Sequence, residues 1–105
     1  MTGTIELENM FKEIERLTDK MLEDPNEDTG TMLMHLMEEV GEFSTAVCIE
    51  DGSKVKGYKK LDEPSYSEAV DMFIVVASLF FKRGGTMKDF KEIAFAKLQK
   101  WENKL

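Results

Sequence analysis

The chain is predicted to be all-α, a four-helix, bundle-like fold in a single domain over residues 1–105. Apolar residues recur at helical spacing in four successive stretches, and no stretch alternates strictly enough to make a strand. Only two prolines and seven glycines interrupt the chain, too few for a turn-dense β architecture. With 42% hydrophobic and 33% charged residues it carries enough apolar material for a core and is not a disordered tail.

The first helix is expected from about Thr4 to Glu23. Its apolar stripe is Leu7, Met10, Phe11, Ile14, Leu17, Met21 and Leu22, and Pro25 ends it by removing a donor and restricting the residue before it. Asp28, Thr29 or Thr31 can cap the second helix, which continues to about Ile49 and stops at Asp51-Gly52. The third helix opens on Ser65-Tyr66-Ser67-Glu68, a capping-box pattern with Ser65 at the cap. From Ala69 to Phe81 its only strongly polar residues are Asp71 and Ser78, so its own bundle or another subunit must surround it. Lys82-Arg83-Gly84-Gly85 closes it. The fourth helix starts at Thr86, with Asp89 three residues on, and runs to the C-terminus. The connection from Asp51 to Pro64 is long for a bundle and carries Lys54, Lys56, Lys59 and Lys60.

Charge and cysteine content narrow the function. With 14 basic and 21 acidic residues the net charge is −7, which opposes binding to a nucleic-acid polymer. The lone Cys48 closes no internal disulfide, and the N-terminus lacks the regions of a signal peptide, so the expected compartment is the cytoplasm. The longest apolar run, Met72 to Phe81, is about half a membrane span, and no membrane partner is expected.

Two acidic clusters carry the chemistry. Glu38, Glu39 and Glu42 fall within about a 100° arc of the second helix. Like charges one turn apart cost about 0.2–0.5 kcal/mol per pair, and Gly41 costs up to about 1 kcal/mol relative to alanine. Accepting both penalties points to a bound cation or a close neighbour; a solvated acidic face with a tightly packed glycine is the alternative. Glu68 and Asp71 share a face of the third helix. The capping box alone would account for Glu68. Asp71 sits among Val70, Met72, Phe73 and Ile74, with no basic residue between Tyr66 and Phe81, and an ionised carboxylate there costs several kcal/mol unless paired. A divalent cation would pair it, as would a lysine from another helix. Antiparallel packing would set Glu39 and Glu42 opposite Glu68 and Asp71. Carboxylates without His or Cys are the ligand set of Mg²⁺ or Mn²⁺, and two such ions suit phosphate chemistry. A di-iron bundle does not fit, because no Glu-x-x-His occurs.

The pair Glu39-Val40-Gly41-Glu42 and Glu68-Ala69-Val70-Asp71 resembles the two signature halves, ExxE and ExxD, of the MazG-like all-α nucleoside triphosphate pyrophosphohydrolases. Leu36-Met37-Glu38-Glu39-Val40-Gly41-Glu42-Phe43 is similar to the family's apolar-Glu-Glu-x-Gly-Glu-apolar stretch, and Lys97 with Asn103 and Lys104 loosely matches a C-terminal Lys…Asn…basic element. The resemblance covers the second to fourth helices. It implies a MazG-type fold completed by homo-oligomerisation, as a homodimer or a tetramer of dimers. It implies hydrolysis of the α–β phosphate bond of (deoxy)nucleoside triphosphates, giving a nucleoside monophosphate and pyrophosphate, with Mg²⁺ as cofactor and Mn²⁺ able to substitute. The family's metal ligands fall on Glu39, Glu42, Glu68 and Asp71. Glu38 and Glu39 are the catalytic candidates, Glu38 as base or outer-shell residue.

For the departing pyrophosphate, Lys54, Lys56, Lys59, Lys60 and Lys97 are candidate contacts; a solvated loop is the alternative for the first four. Phe11, Trp101 and Tyr58 are candidates to stack on a base, although aromatic residues at helical spacing usually belong to the core. His35, one turn before Glu39 on the same face, is expected to be packed and hydrogen-bonded; contact with substrate or a ligand carboxylate is the alternative. Two other readings remain: a non-catalytic helical oligomer of the same fold acting as an interaction module, and a pyrophosphohydrolase of a phosphoribosyl nucleotide.

Overall fold

The computed structural model describes residues 5–52 and 63–105. Four helices form, α1 Leu7–Met21, α2 Thr29–Glu50, α3 Ser65–Lys82 and α4 Met87–Glu102, and there is no strand among the described residues. The class is all-α, as the periodicity predicts.

Local chemistry fixes most of the boundaries. α1 is shorter than predicted, opening after Glu6 without a side-chain cap. Asp28 caps α2 by accepting the Thr31 amide at 2.8 Å. At the end of α3, Gly84 takes φ +93°, donating to the Phe81 carbonyl while Gly85 donates to Phe80. That is a Schellman turn, and only a residue without a Cβ adopts its left-handed position at no steric cost. Thr86 and Asp89 then form a reciprocal capping box that starts α4.

The predicted capping box of α3 does not form. Pro64 is the N-cap and Ser65 is already helical. The Ser65 amide donates to Glu50 Oε2 at 2.7 Å, and its hydroxyl donates to Glu50 Oε1. Glu50 from the last turn of α2 thus accepts the Ser65 amide that a capping box would give to the Glu68 carboxylate, and the Glu68 amide donates to the Pro64 carbonyl instead, so Glu68 is released from that duty.

α2 and α3 share the most extensive interface, with α1 laid against α3. Glu50 meets Ser65 at one end while the Asp71 charge acts on Glu39 further along, so α2 and α3 run antiparallel. Phe11 packs against Phe73 and Thr18 against Ser78, so α1 and α3 run in the same direction. The core is small. Phe11, Ile14 and Ala77 are its buried centre, with Met10, Phe81, Met87 and Phe90 against them; Met32 and Ala46 of α2 are buried as well. α4 joins through Phe90, whose ring lies 4.8 Å from that of Phe11, and through the Lys91–Glu8 ion pair. None of its residues is fully buried.

The expectation that α3 is enclosed holds only in part. Ala77 is buried, but Val70, Phe73, Ile74 and Val76 are exposed within the chain. Among the described residues Gly41 has no neighbour within 4 Å of a built Cβ, so tight packing against them does not explain it.

Phe11 is 4% exposed and touches two other rings. Phe11→Ala is expected to cost about 3–5 kcal/mol, read from the urea midpoint of unfolding; a loss below about 1 kcal/mol would show that this ring cluster is not the core.

Candidate metal centre

The site arises from two helical spacings facing one another. Glu39 and Glu42 occupy one face of α2, and Glu68 and Asp71 one face of α3. Antiparallel packing, pinned at its far end by Glu50 and Ser65, brings these faces together. Carboxylate oxygens of Glu39, Glu42 and Glu68 lie within 4.8 Å of one another, and so do those of Glu63, Glu68 and Asp71. Glu68 belongs to both groups, so the two triads are joined through one side chain.

The electrostatics are those of crowded, underpaired anions. Burial raises the proton affinity of Glu39 above the usual glutamate value, and the charges of Glu42, Asp71 and Glu38 add to it; His35 opposes weakly. Glu68 is raised in the same way, first by burial and then by Glu42, Glu63, Asp71 and Glu39. Among the described residues Glu39 Oε2 and Glu68 Oε2 are both shielded from solvent with no hydrogen-bond partner. No described lysine or arginine acts on either group. A buried, unpartnered carboxylate oxygen costs more than an exposed one, so a cation would relieve both.

A hard divalent cation fits this donor set. All the ligands are carboxylate oxygens, the chemistry of Mg²⁺ and Mn²⁺. Opposite ligands of an octahedral Mg²⁺ stand about 4.2 Å apart, so oxygens within 4.8 Å of one another are near enough to share one ion. Residues Glu39, Glu42 and Glu68 could hold one ion, and Glu63, Glu68 and Asp71 a second.

The other candidates are placed as follows. Glu38 lies outside both triads, exposed, with an oxygen 3.8 Å from His35 Nδ1. His35 is exposed rather than packed, because the α2 turn that carries it borders an open groove. Lys97 and Trp101 sit on the exposed C-terminal half of α4 and are not brought to the carboxylates within the chain. Lys54, Lys56, Lys59, Lys60 and Tyr58 lie outside the described residues. Glu63 was not expected. It precedes Pro64 in the connection rather than lying on a helix, so helical spacing could not find it; an acidic residue just before a helix that already carries Glu68 was the available signal.

The crowding gives a pH-dependent test. A carboxylate whose proton affinity is raised on folding stabilises the fold below its unfolded value, near 4.5, and that contribution is lost as pH rises through the folded value. Glu39→Gln is therefore expected to raise Tm at pH 7.5 in EDTA, with the gain shrinking on titration toward pH 4. Equal melting of the two proteins across this range would show that the oxygens are not crowded.

No protein-family model matches this chain, and neither does any curated protein or solved structure. Among the described residues no helix is long and apolar enough to cross a membrane.

Proposed function

We propose that the chain is a Mg²⁺-dependent nucleotide pyrophosphohydrolase that cleaves the α–β phosphate bond of (deoxy)nucleoside triphosphates. The observation that carries this reading is the pair of carboxylate triads joined at Glu68, with shielded oxygens on Glu39 and Glu68 that no described group satisfies. Its motif halves are those of the MazG-like enzymes.

In this reading Glu39, Glu42, Glu68 and Asp71 hold the cation, and Glu63 adds an oxygen at the second triad. When bound, Mg²⁺ neutralises phosphate oxygens and lowers the pKa of water. The water oxygen bonds to the α-phosphorus as the bond from that phosphorus to the bridging oxygen breaks, and pyrophosphate leaves. Glu38 belongs to neither triad, so its oxygens are available for the proton that the water gives up. Its neighbour on α2 is His35, whose Nδ1 lies 3.8 Å from a Glu38 oxygen.

Homo-oligomerisation belongs to the same reading. Met34 and Met37 on α2, Val70 and Val76 on α3, and Ile93, Leu98 and Trp101 on α4 are all exposed, and Met37 reaches 74%. So many large apolar side chains on one small chain exceed what a monomer ordinarily leaves in water. Sedimentation is expected to give a dimer or tetramer; a 12.1 kDa species at micromolar concentration would overturn this part.

Nucleoside triphosphates incubated with Mg²⁺ are expected to release pyrophosphate, and orthophosphate alone would redirect the assignment to a phosphatase. Asp71→Asn should lower turnover at least 100-fold and abolish the Mg²⁺-induced rise in Tm. Normal hydrolysis by that variant would overturn the site.

A further inference from the structure

Two apolar surfaces of this chain are left without a partner among the described residues, the last turns of α4 and a groove between α1, α2 and α3. Phe90 packs on Phe11 and Lys91 pairs with Glu8, so α4 runs back along α1 and has reached its first turn by Lys91. The turns from there to Glu102 continue as an arm about 16 Å long. The apolar spacing does not stop where the packing stops. After Phe90 come Ala94, Leu98 and Trp101 on the same helical face, with Leu98 and Trp101 exposed. The radius of gyration is 16.4 Å, against about 13 Å for a compact domain of this length.

The groove holds about 300 Å³. Ile14, Leu17 and Met21 of α1, Met32 of α2 and Ile74 of α3 form its walls. The two hydroxyls that reach it are spent inside the chain: Thr18 donates to the Ile14 carbonyl at 2.6 Å, and its oxygen lies 2.7 Å from Ser78 Oγ. What stays open is almost wholly apolar and suits an apolar side chain rather than a polar ligand. From Ile14 to Met21 the α1 wall rises about 10 Å, the same rise as from Ala94 to Trp101 on the arm. An amphipathic helix laid in an apolar groove uses anchors at this spacing. A chain's own arm points away from its own groove, because the arm passes the start of α1 and the groove lies along its second half.

Charge is complementary as well. The arm carries Lys97, Lys100 and Lys104 against Glu102, in a chain of net charge −7. At the facing end of the groove, His35 and Ile74 each stand one turn from a carboxylate, Glu39 and Asp71. We propose that a second copy fills the groove: the arm of each subunit, anchored by Leu98 and Trp101, lies in the α1–α2–α3 groove of the other, with its lysines toward the carboxylate end. Reciprocal exchange closes a twofold dimer and takes both surfaces out of water. That the chain associates at all rests on the oligomeric reading above; which surfaces meet rests on the arm and the groove.

Trp101 is the only tryptophan, so its emission reports on the arm alone. Dilution of the full chain through dissociation, followed in parallel by sedimentation, is expected to shift that emission to the red as the indole returns to water. Leu17→Glu in the groove and Leu98→Glu on the arm alter positions exposed in the lone subunit. Both should keep the helix content seen by circular dichroism and raise the dissociation constant at least about thirtyfold. Mixed in equal amounts, the two variants retain one intact arm–groove contact, so the mixture should associate more tightly than either alone. Misfolded variants could not rescue each other in this way. An oligomer whose Trp101 emission ignores dilution would overturn the exchange and leave association standing. Variants that associate normally, or a mixture no tighter than its components, would also overturn it. A monomer at every concentration would overturn both the exchange and the oligomeric reading.

Discussion

The Glu50 carboxylate gripping the first residue of α3 sets the geometry on which everything else depends. It joins the last turn of one helix to the first turn of the next through two hydrogen bonds to Ser65. Because both groups lie at helix ends, the clamp fixes the axial register of α2 against α3. Counting back along α2 about two to three turns leads to Glu42 and Glu39, and counting forward along α3 about one to two turns leads to Glu68 and Asp71. A slip of one residue would turn at least part of this set toward solvent. The clamp is also inexpensive to hold near neutral pH, since its hydrogen bonds keep the Glu50 carboxyl below the ordinary glutamate range.

What could be read in the sequence follows from how local each feature is. The all-α class, the Asp28 cap, the Thr86–Asp89 box and the glycine stop after α3 depend on residues within one turn of each other, and the chain displays them directly. Ser65 was misread for the complementary reason. A capping box is written in four consecutive residues, whereas the acceptor that displaces it lies fifteen positions upstream. The same distance limits hid Glu63, which reaches the site from a connection with no periodicity. Glu39, Glu42, Glu68 and Asp71 were visible because their placement needs only two helices and one antiparallel contact. The sequence could also mark His35 as facing the same way as Glu39, but its exposure depends on the groove left between three helices.

The economy of the fold is uneven. A compact centre of Phe11, Ile14 and Ala77 holds α1 to α3, while large apolar residues on all four helices remain in contact with water. Gly41 fits this pattern. It sits between the glutamates of α2 with open space over its α-carbon, so its helix-weakening cost is not offset by any contact with the described residues. Both observations suit the proposed oligomer, in which a second copy would add to the hydrophobic stabilisation.

α4 shows what this division means for motion. Its start is secured by the Schellman turn, the capping box, the Phe90 ring and the Lys91–Glu8 pair. Beyond Lys91 its large apolar side chains Ile93, Phe95, Leu98 and Trp101 are all exposed. In a lone subunit, fraying from Leu105 back toward Phe90 would sacrifice backbone hydrogen bonds but little side-chain packing. Those turns have little packing to lose on opening, and their amides would exchange protium for deuterium sooner than those of the helical turns around Phe11 and Ala77.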